Sequence, residues 1–200
     1  MKSKMRLREM ADIRTGYQFR ERLEMATAGT RQVIQAKDID QFHNHRLVAS
    51  SLWRVTPKRD TAAYEVREGD VIFLAKGRRN FATVIEGLSP SPPTIPAGYF
   101  LILRLRAGAV LPQYLAWAIN QPAAQGYLRS ARRGTNIPFI TKEAFADLQI
   151  DVPPLEVQQR VVALAELAWR ESGLLKRLEQ KRTELVRGIC QRAIRQSART

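Results

Sequence analysis

Lys76-Gly77-Arg78-Arg79-Asn80 sets two guanidinium groups and a carboxamide beside a glycine, between two short apolar runs. A guanidinium donates two parallel hydrogen bonds to guanine O6 and N7, and a carboxamide matches adenine N6 and N7. Lys76, Arg78, Arg79 and Asn80 therefore have the chemistry of base-edge readers presented at a turn. A second stretch, Arg129-Ser130-Ala131-Arg132-Arg133-Gly134-Thr135-Asn136, joins guanidinium groups to a glycine and to short hydroxyl and amide side chains. Arg132, Arg133, Thr135 and Asn136 suit a phosphate backbone, whose contacts fix register without carrying sequence information. In a third stretch, Tyr17-Gln18-Phe19-Arg20-Glu21-Arg22, an aromatic pair interleaves with arginine, and Tyr17, Arg20 and Arg22 are its candidate DNA contacts. Gln35, Lys37, His43, Asn44 and His45 form a lesser set.

Bond-making chemistry finds no comparable constellation. An adenine methyltransferase needs a glycine-rich cofactor loop and an Asn/Asp-Pro-Pro-aromatic motif for a flipped base. Pro92-Pro93 and Pro153-Pro154 have neither the Asn before them nor the aromatic after. A metal-dependent nuclease needs clustered carboxylates with a lysine on strand ends, yet Glu179-Gln180-Lys181 lies within a helical pattern. His43-Asn44-His45 offers two imidazoles without Cys or a second pair, too few donors for a structural zinc site. No catalytic residue, metal ligand or bound cofactor is assigned, and the chain reads as non-catalytic.

The elements that must position these loops read as an α+β domain followed by one long helix. Ala11–Thr15, Arg31–Ile39, Asp70–Ala75, Phe81–Ile85, Tyr99–Leu105 and Leu148–Val152 are the predicted strands, rich in β-branched residues and bounded by Gly and Pro. Residues 86–98, with four prolines and two glycines, read as a loop. Pro112–Asn120 and Pro122–Ser130 read as short helices, and Thr141 caps a third that ends by Leu148. The domain is expected over residues 1–152 and the helix over 153–200.

Pro153-Pro154 closes the last strand and opens that helix, because proline at the first helical position loses no hydrogen bond. From there Val161, Leu164, Ala168, Glu171, Leu175, Leu178, Arg182, Leu185, Ile189 and Arg192 recur alternately three and four residues apart. This is the seam of a helix that packs on another helix. Roughly 42 residues at 1.5 Å each make a rod of about 60 Å. Gly173 and Gly188 each cost about 1 kcal/mol against alanine, so tertiary or quaternary contacts must hold it. Leu164, Leu175, Leu178, Leu185 and Ile189 are the candidate partner contacts. Glu171, Arg182 and Arg192 in the seam suit an antiparallel partner, where acid faces base.

Several of these segments together resemble one family. Gly134-Thr135-Asn136-Ile137-Pro138 through Thr141, then Leu148 to Gln158 with its double proline, is similar to the end of a target recognition domain in the DNA specificity (S) subunit of type I restriction-modification enzymes. Leu7 to Tyr17 resembles the family's opening motif, and Gly69 to Gly77 its central strand. The family usually has Glu where Val157 stands, and two recognition domains and two helices where this sequence has one of each. The resemblance implies a half-length specificity subunit that binds double-stranded DNA and reads one half of a split target. It implies docking to a modification (methyltransferase) subunit, with a restriction subunit as a further partner. S-adenosylmethionine would be bound by the methyltransferase, which flips and methylates adenine. A second copy paired through the helix would complete a homodimer. A stand-alone dimeric DNA-binding regulator, or a truncated S fragment that exchanges into larger complexes, are the alternatives.

Composition points the same way. The chain carries a net charge of +14. Residues 1–150 hold 23 Lys/Arg against 13 Asp/Glu, a net +10, and the remaining fifty add +4. An arginine-dominated excess of this size is the electrostatic footprint of a polyanion partner. No apolar run reaches 18 residues, so no membrane span is expected. Lys2, Lys4, Arg6 and Arg8 precede no apolar segment, so no secretory signal is expected. Cys190 alone fits a reducing cytoplasm and a packing role.

Overall fold

The structure is a computed structural model that describes residues 3–20, 23–40, 45–106, 108 and 110–197. Strands β1 (Ser3–Arg6), β2 (Ala11–Thr15), β3 (Arg31–Ile34), β4 (Ile39–Asp40), β5 (Arg46–Leu47), β6 (Trp53–Val55), β7 (Val71–Leu74), β8 (Ala82–Val84), β9 (Thr94–Pro96), β10 (Phe100–Leu105) and β11 (Gln149–Val152) follow in chain order. Helix α1 (Leu7–Met10) lies between β1 and β2, and α2 (Pro112–Ile119), α3 (Pro122–Ser130) and α4 (Lys142–Ala146) separate β10 from β11. Helix α5 (Leu155–Ser197) is the last of the described elements. The α+β class expected from the sequence is what the structure has.

The central sheet, in the order β2-β10-β7-β8, is antiparallel throughout. Its inner strands β7 and β10 read as near-continuous apolar runs because both faces are covered. Val71 and Phe73 of β7, with Leu101 and Leu103 of β10, join one core with Leu115 and Ile119 of α2, Leu128 of α3 and Phe145 of α4. Ile72 and Leu74, with Phe100 and Ile102, turn to a second core with Ile34 and Ile85. Side chains that alternate across a strand thus feed two cores from one sheet. Asp70, almost fully buried at the head of β7, accepts from Arg104 Nε at 3.0 Å and Nη2 at 2.6 Å and from the Arg67 amide at 2.9 Å. That pairing satisfies a charge that would otherwise be costly to bury.

Two expectations need correction. The predicted strand from Arg31 to Ile39 stops at Ile34, and Ala36–Asp38 form a 3-10 turn. Buried Asp38 accepts from the Gln35 amide at 2.8 Å, and such a local bond competes with a strand ladder. The proline-rich loop contains a strand: β9 runs parallel to β3, with Ile95 opposite Val33. It is an edge strand, where Pro96 can lack an N–H. The Pro96 carbonyl still accepts from the Tyr17 amide at 2.8 Å.

Strand β1 pairs antiparallel with β11, so the segment before α5 is fixed by the start of the chain. Helix α5 begins at Leu155, two residues past the expected start at 153, and the Pro154 carbonyl accepts from Val157 and Gln158 amides. Gln158 is fully buried; its Nε2 donates to the Pro153 carbonyl at 2.8 Å and its Oε1 accepts from the Leu111 amide at 2.9 Å. This side chain anchors the first turn of α5 to the N-terminus of α2. The chain divides into two compact units between Val162 and Ala163. Among the described residues no helix is long and apolar enough to cross a membrane.

Candidate nucleic-acid interface

Two of the three basic loops meet. Residues 75–81 connect β7 to β8, and residues 131–141 connect α3 to α4. The Ile140 amide donates to the Ala75 carbonyl at 2.9 Å, Lys76 bridges Phe139, and the Gly77 amide donates to the Pro138 carbonyl at 2.8 Å. On its other side Phe139 exchanges both backbone hydrogen bonds with Arg133, each 2.9 Å. Residues 133–139 thus form a hairpin stapled along one edge to the β7–β8 loop. Gly77 (φ +111°) and Gly134 (φ +84°) occupy left-handed backbone that residues with a Cβ rarely adopt.

Side chains complete the joint. Half-buried Arg132 donates from Nε to Asn80 Oδ1 at 2.9 Å and from Nη2 to the Arg78 carbonyl at 3.0 Å. Asn80 Nδ2 donates to the Leu74 carbonyl at 2.9 Å. Asn80 is buried, which corrects its expected place at a loop tip beside a base edge. Its short amide is used inward because the turn leaves the Leu74 carbonyl without a ladder partner. Arg132 likewise braces the two loops. Lys76, Arg78, Arg79, Arg133, Thr135 and Asn136 are exposed. Among the described residues no carboxylate pairs with Lys76, Arg78, Arg79 or Arg133, and neither loop sequence contains Asp or Glu. The result is one acid-free basic surface that offers guanidinium donors to phosphates or guanine edges.

The third loop is built differently. Tyr17 is buried, bridges Ala97, and meets Phe19 and Tyr64 edge-on at ring distances of 4.7 and 5.3 Å. It is a core aromatic, which corrects the expectation of a DNA contact. Arg20 is exposed, and Arg22 lies outside the described residues. Tyr17, Phe19, Arg20, Lys58 and Arg59 help line a cleft of about 630 Å³. Of the lesser candidates, Lys37 Nζ lies 3.4 Å from the centre of the Trp53 ring. His45 stacks on Phe81 at 4.2 Å, and burial pushes its pKa down against the opposing pull of Asp40. Its imidazole is therefore held away from the charged form that would attract phosphate. Gln35 is half-buried, and His43 and Asn44 lie outside the described residues.

Residues 163–197 carry a second surface. Leu164, Leu175, Leu178, Leu185 and Ile189 are all exposed, each by more than half, as are Leu167 and Leu174. Leu167, Leu174, Leu175 and Leu178 gather into one apolar patch flanked by Arg170, Glu171, Arg177 and Lys181. A Cβ added at Gly173 or Gly188 would meet nothing within 4 Å beyond the helix's own backbone. Ion pairs along this length, Glu166 with Arg170 and Lys181 with Glu184, are local to the helix.

No protein-family model and no curated protein matches the sequence. Solved structures do. The HsdS subunit of Thermoanaerobacter tengcongensis superposes with a TM-score of 0.61 at 22% identity, over 88% of this chain and 39% of that one. The S subunit of a type I restriction-modification system from M. genitalium gives 0.54 at 12%, over 84% and 38%. The fold is that of the type I S subunits. A third chain, from a structure of the type I R-M system concerned with complex assembly and conformational transition, gives 0.60 at 21%, over 90% and 41%. The chain spans about two fifths of the length of each S-fold chain it matches. In this S fold, the resemblance of Leu7–Tyr17, Gly69–Gly77 and Gly134–Gln158 acquires a spatial meaning. The first gives α1 and β2, the second β7 and its loop, the third the stapled hairpin, α4, β11 and the start of α5.

Proposed function

We propose that this chain is a non-catalytic DNA specificity unit of a type I restriction-modification system. The observation that carries the reading is the stapling of Lys76–Asn80 to Arg132–Asn136 into one acid-free basic surface on an S-subunit fold. The domain reads one half of a split target, and the residues beyond Val162 form the surface for pairing and for docking. A modification subunit that binds S-adenosylmethionine methylates adenine N6 at the site so chosen. A restriction subunit joins where the system cleaves. The second half of the target is read by a second copy, paired antiparallel through the exposed leucines. The work takes place in the cytoplasm, where the DNA is.

The test is co-expression with a modification subunit of the type I class, followed by mapping of methylated adenines. Two identical half-readers about a two-fold axis read an inverted repeat, so the mapped site is expected to be symmetric and split. Methylation at an asymmetric site contradicts two identical copies. Methylation that does not depend on this chain contradicts the specificity role altogether.

A further inference from the structure

Ile137 stands out among the residues the function leaves unexplained. It is 69% exposed, although Ile140 three residues later is buried in the core. Scattered exposed apolar side chains are ordinary, but this one tops the hairpin that Arg133 and Phe139 close. Its backbone has little freedom. Gly134 approaches so closely that a Cβ there would come within 3.0 Å of the Ile137 carbonyl. Pro138 follows it, with its carbonyl bonded to the Gly77 amide. The bridge sets Lys76 opposite Phe139, and the Gly77 amide bonds to the Pro138 carbonyl, so Arg78 and Ile137 each stand one residue from that bond. A rigid β-branched side chain thus stands exposed on the hairpin stapled to the loop that carries Lys76, Arg78 and Arg79.

Water around Ile137 is released only if an apolar group covers it, and the exposed cations of the two joined loops select a polyanion. Duplex DNA supplies both in one place: each thymine presents an apolar 5-methyl group in the major groove. We infer that Ile137 is a specificity-determining contact to a thymine 5-methyl group, beside the base pair that Arg78 reads. The inference rests on the DNA-binding reading above. It assigns a side chain to an apolar contact that hydrogen-bonding candidates cannot make.

The test uses the full chain and a pool of duplexes with a randomised centre. The enriched duplex is then remade with each thymine in turn replaced by uracil, which removes the methyl group alone. At one position uracil is expected to weaken the wild-type chain about fourfold, the effect of roughly 0.8 kcal/mol for one buried methyl group. Ile137→Ala is expected to bind the thymine and uracil duplexes equally, and Ile137→Val to retain the difference. That position is expected to adjoin the base pair whose preference Arg78→Ala relaxes. Wild-type indifference to uracil at every position overturns the inference while leaving DNA binding intact. So does an Ile137→Ala variant that loses DNA bending but keeps the full thymine preference, since Ile137 would then be a wedge between base steps. A wild-type chain that enriches no duplex at all refutes the DNA reading itself.

Discussion

Arg132 reaches across from the α3–α4 connection to Asn80, its Nε 2.9 Å from the Asn80 Oδ1. Asn80 in turn holds the Leu74 carbonyl at the end of β7. The pair converts two loops, 52 residues apart in sequence, into one rigid surface. It also divides labour among the cations: Arg132 is spent on the scaffold, while Lys76, Arg78, Arg79 and Arg133 face solvent.

Asn80→Ala is therefore expected to act on stability. It leaves the buried Leu74 carbonyl and the Arg132 Nε–H without partners, a loss of about 1–3 kcal/mol. Urea denaturation should show a lower midpoint at unchanged slope. A variant with the wild-type midpoint would mean that the inward bonds contribute nothing, and would return Asn80 to the candidates for base contact.

Substitutions at Arg79 and Arg133 test whether reading and holding are separate. Arg79→Ala is expected to cost roughly 1–3 kcal/mol on the preferred duplex and to relax preference at one base pair. Arg133→Ala should weaken all duplexes alike and lower the salt slope by about one unit. Competition against a randomised duplex pool distinguishes the two. Uniform weakening by both, with preference intact, would make the β7–β8 loop an electrostatic contact only.

The sequence displayed the basic loops, the leucine seam and most strands because each depends on local pattern. Val71–Leu74 is a strand by composition, and Pro122–Ser130 a helix by its N-terminal proline. What stayed hidden depends on distant partners. Thr94–Pro96 is a strand only because β3 lies beside it. Tyr17 beside arginine looks like a stacking aromatic, yet Ala97 and Tyr64 claim it for the core. Asn80 follows two arginines in a loop, and nothing local reveals that Leu74 and Arg132 turn it inward. Gln158 carries the opposite lesson: the double proline marks where the helix starts, but only the fold shows that this glutamine locks it.

Asp70 and Arg104 supply a test of the sheet that carries the first loop. The Asp70 carboxylate is almost fully buried and holds three donors, whereas the Arg104 side chain keeps 30% of its surface exposed. The Arg104 guanidinium is held even more firmly protonated by the Asp70 carboxylate. Asp70→Ala should cost about 2–3 kcal/mol, since it removes three hydrogen bonds, two of them from a guanidinium to a buried carboxylate. A loss well under 1 kcal/mol by urea denaturation would show that solvent replaces all three bonds.

The leucine face of α5 sets the last prediction. Leu164, Leu175, Leu178, Leu185 and Ile189 expose more apolar surface than a helix of about 65 Å sustains alone in water. Gly173 and Gly188 weaken it further. Pairing with a second copy would cover these residues, and Glu171 opposite Arg182 or Arg192 would favour the antiparallel arrangement. The isolated chain is thus expected to sediment as a dimer at tens of micromolar. Leu178→Arg with Leu185→Arg should return it to a monomer, because each change places an unpaired charge in an apolar contact. Circular dichroism of the double variant should show loss of helix as well, since the covered face is what holds the helix. A wild-type chain that sediments as a monomer at that concentration excludes self-pairing and leaves the leucine face to a different subunit.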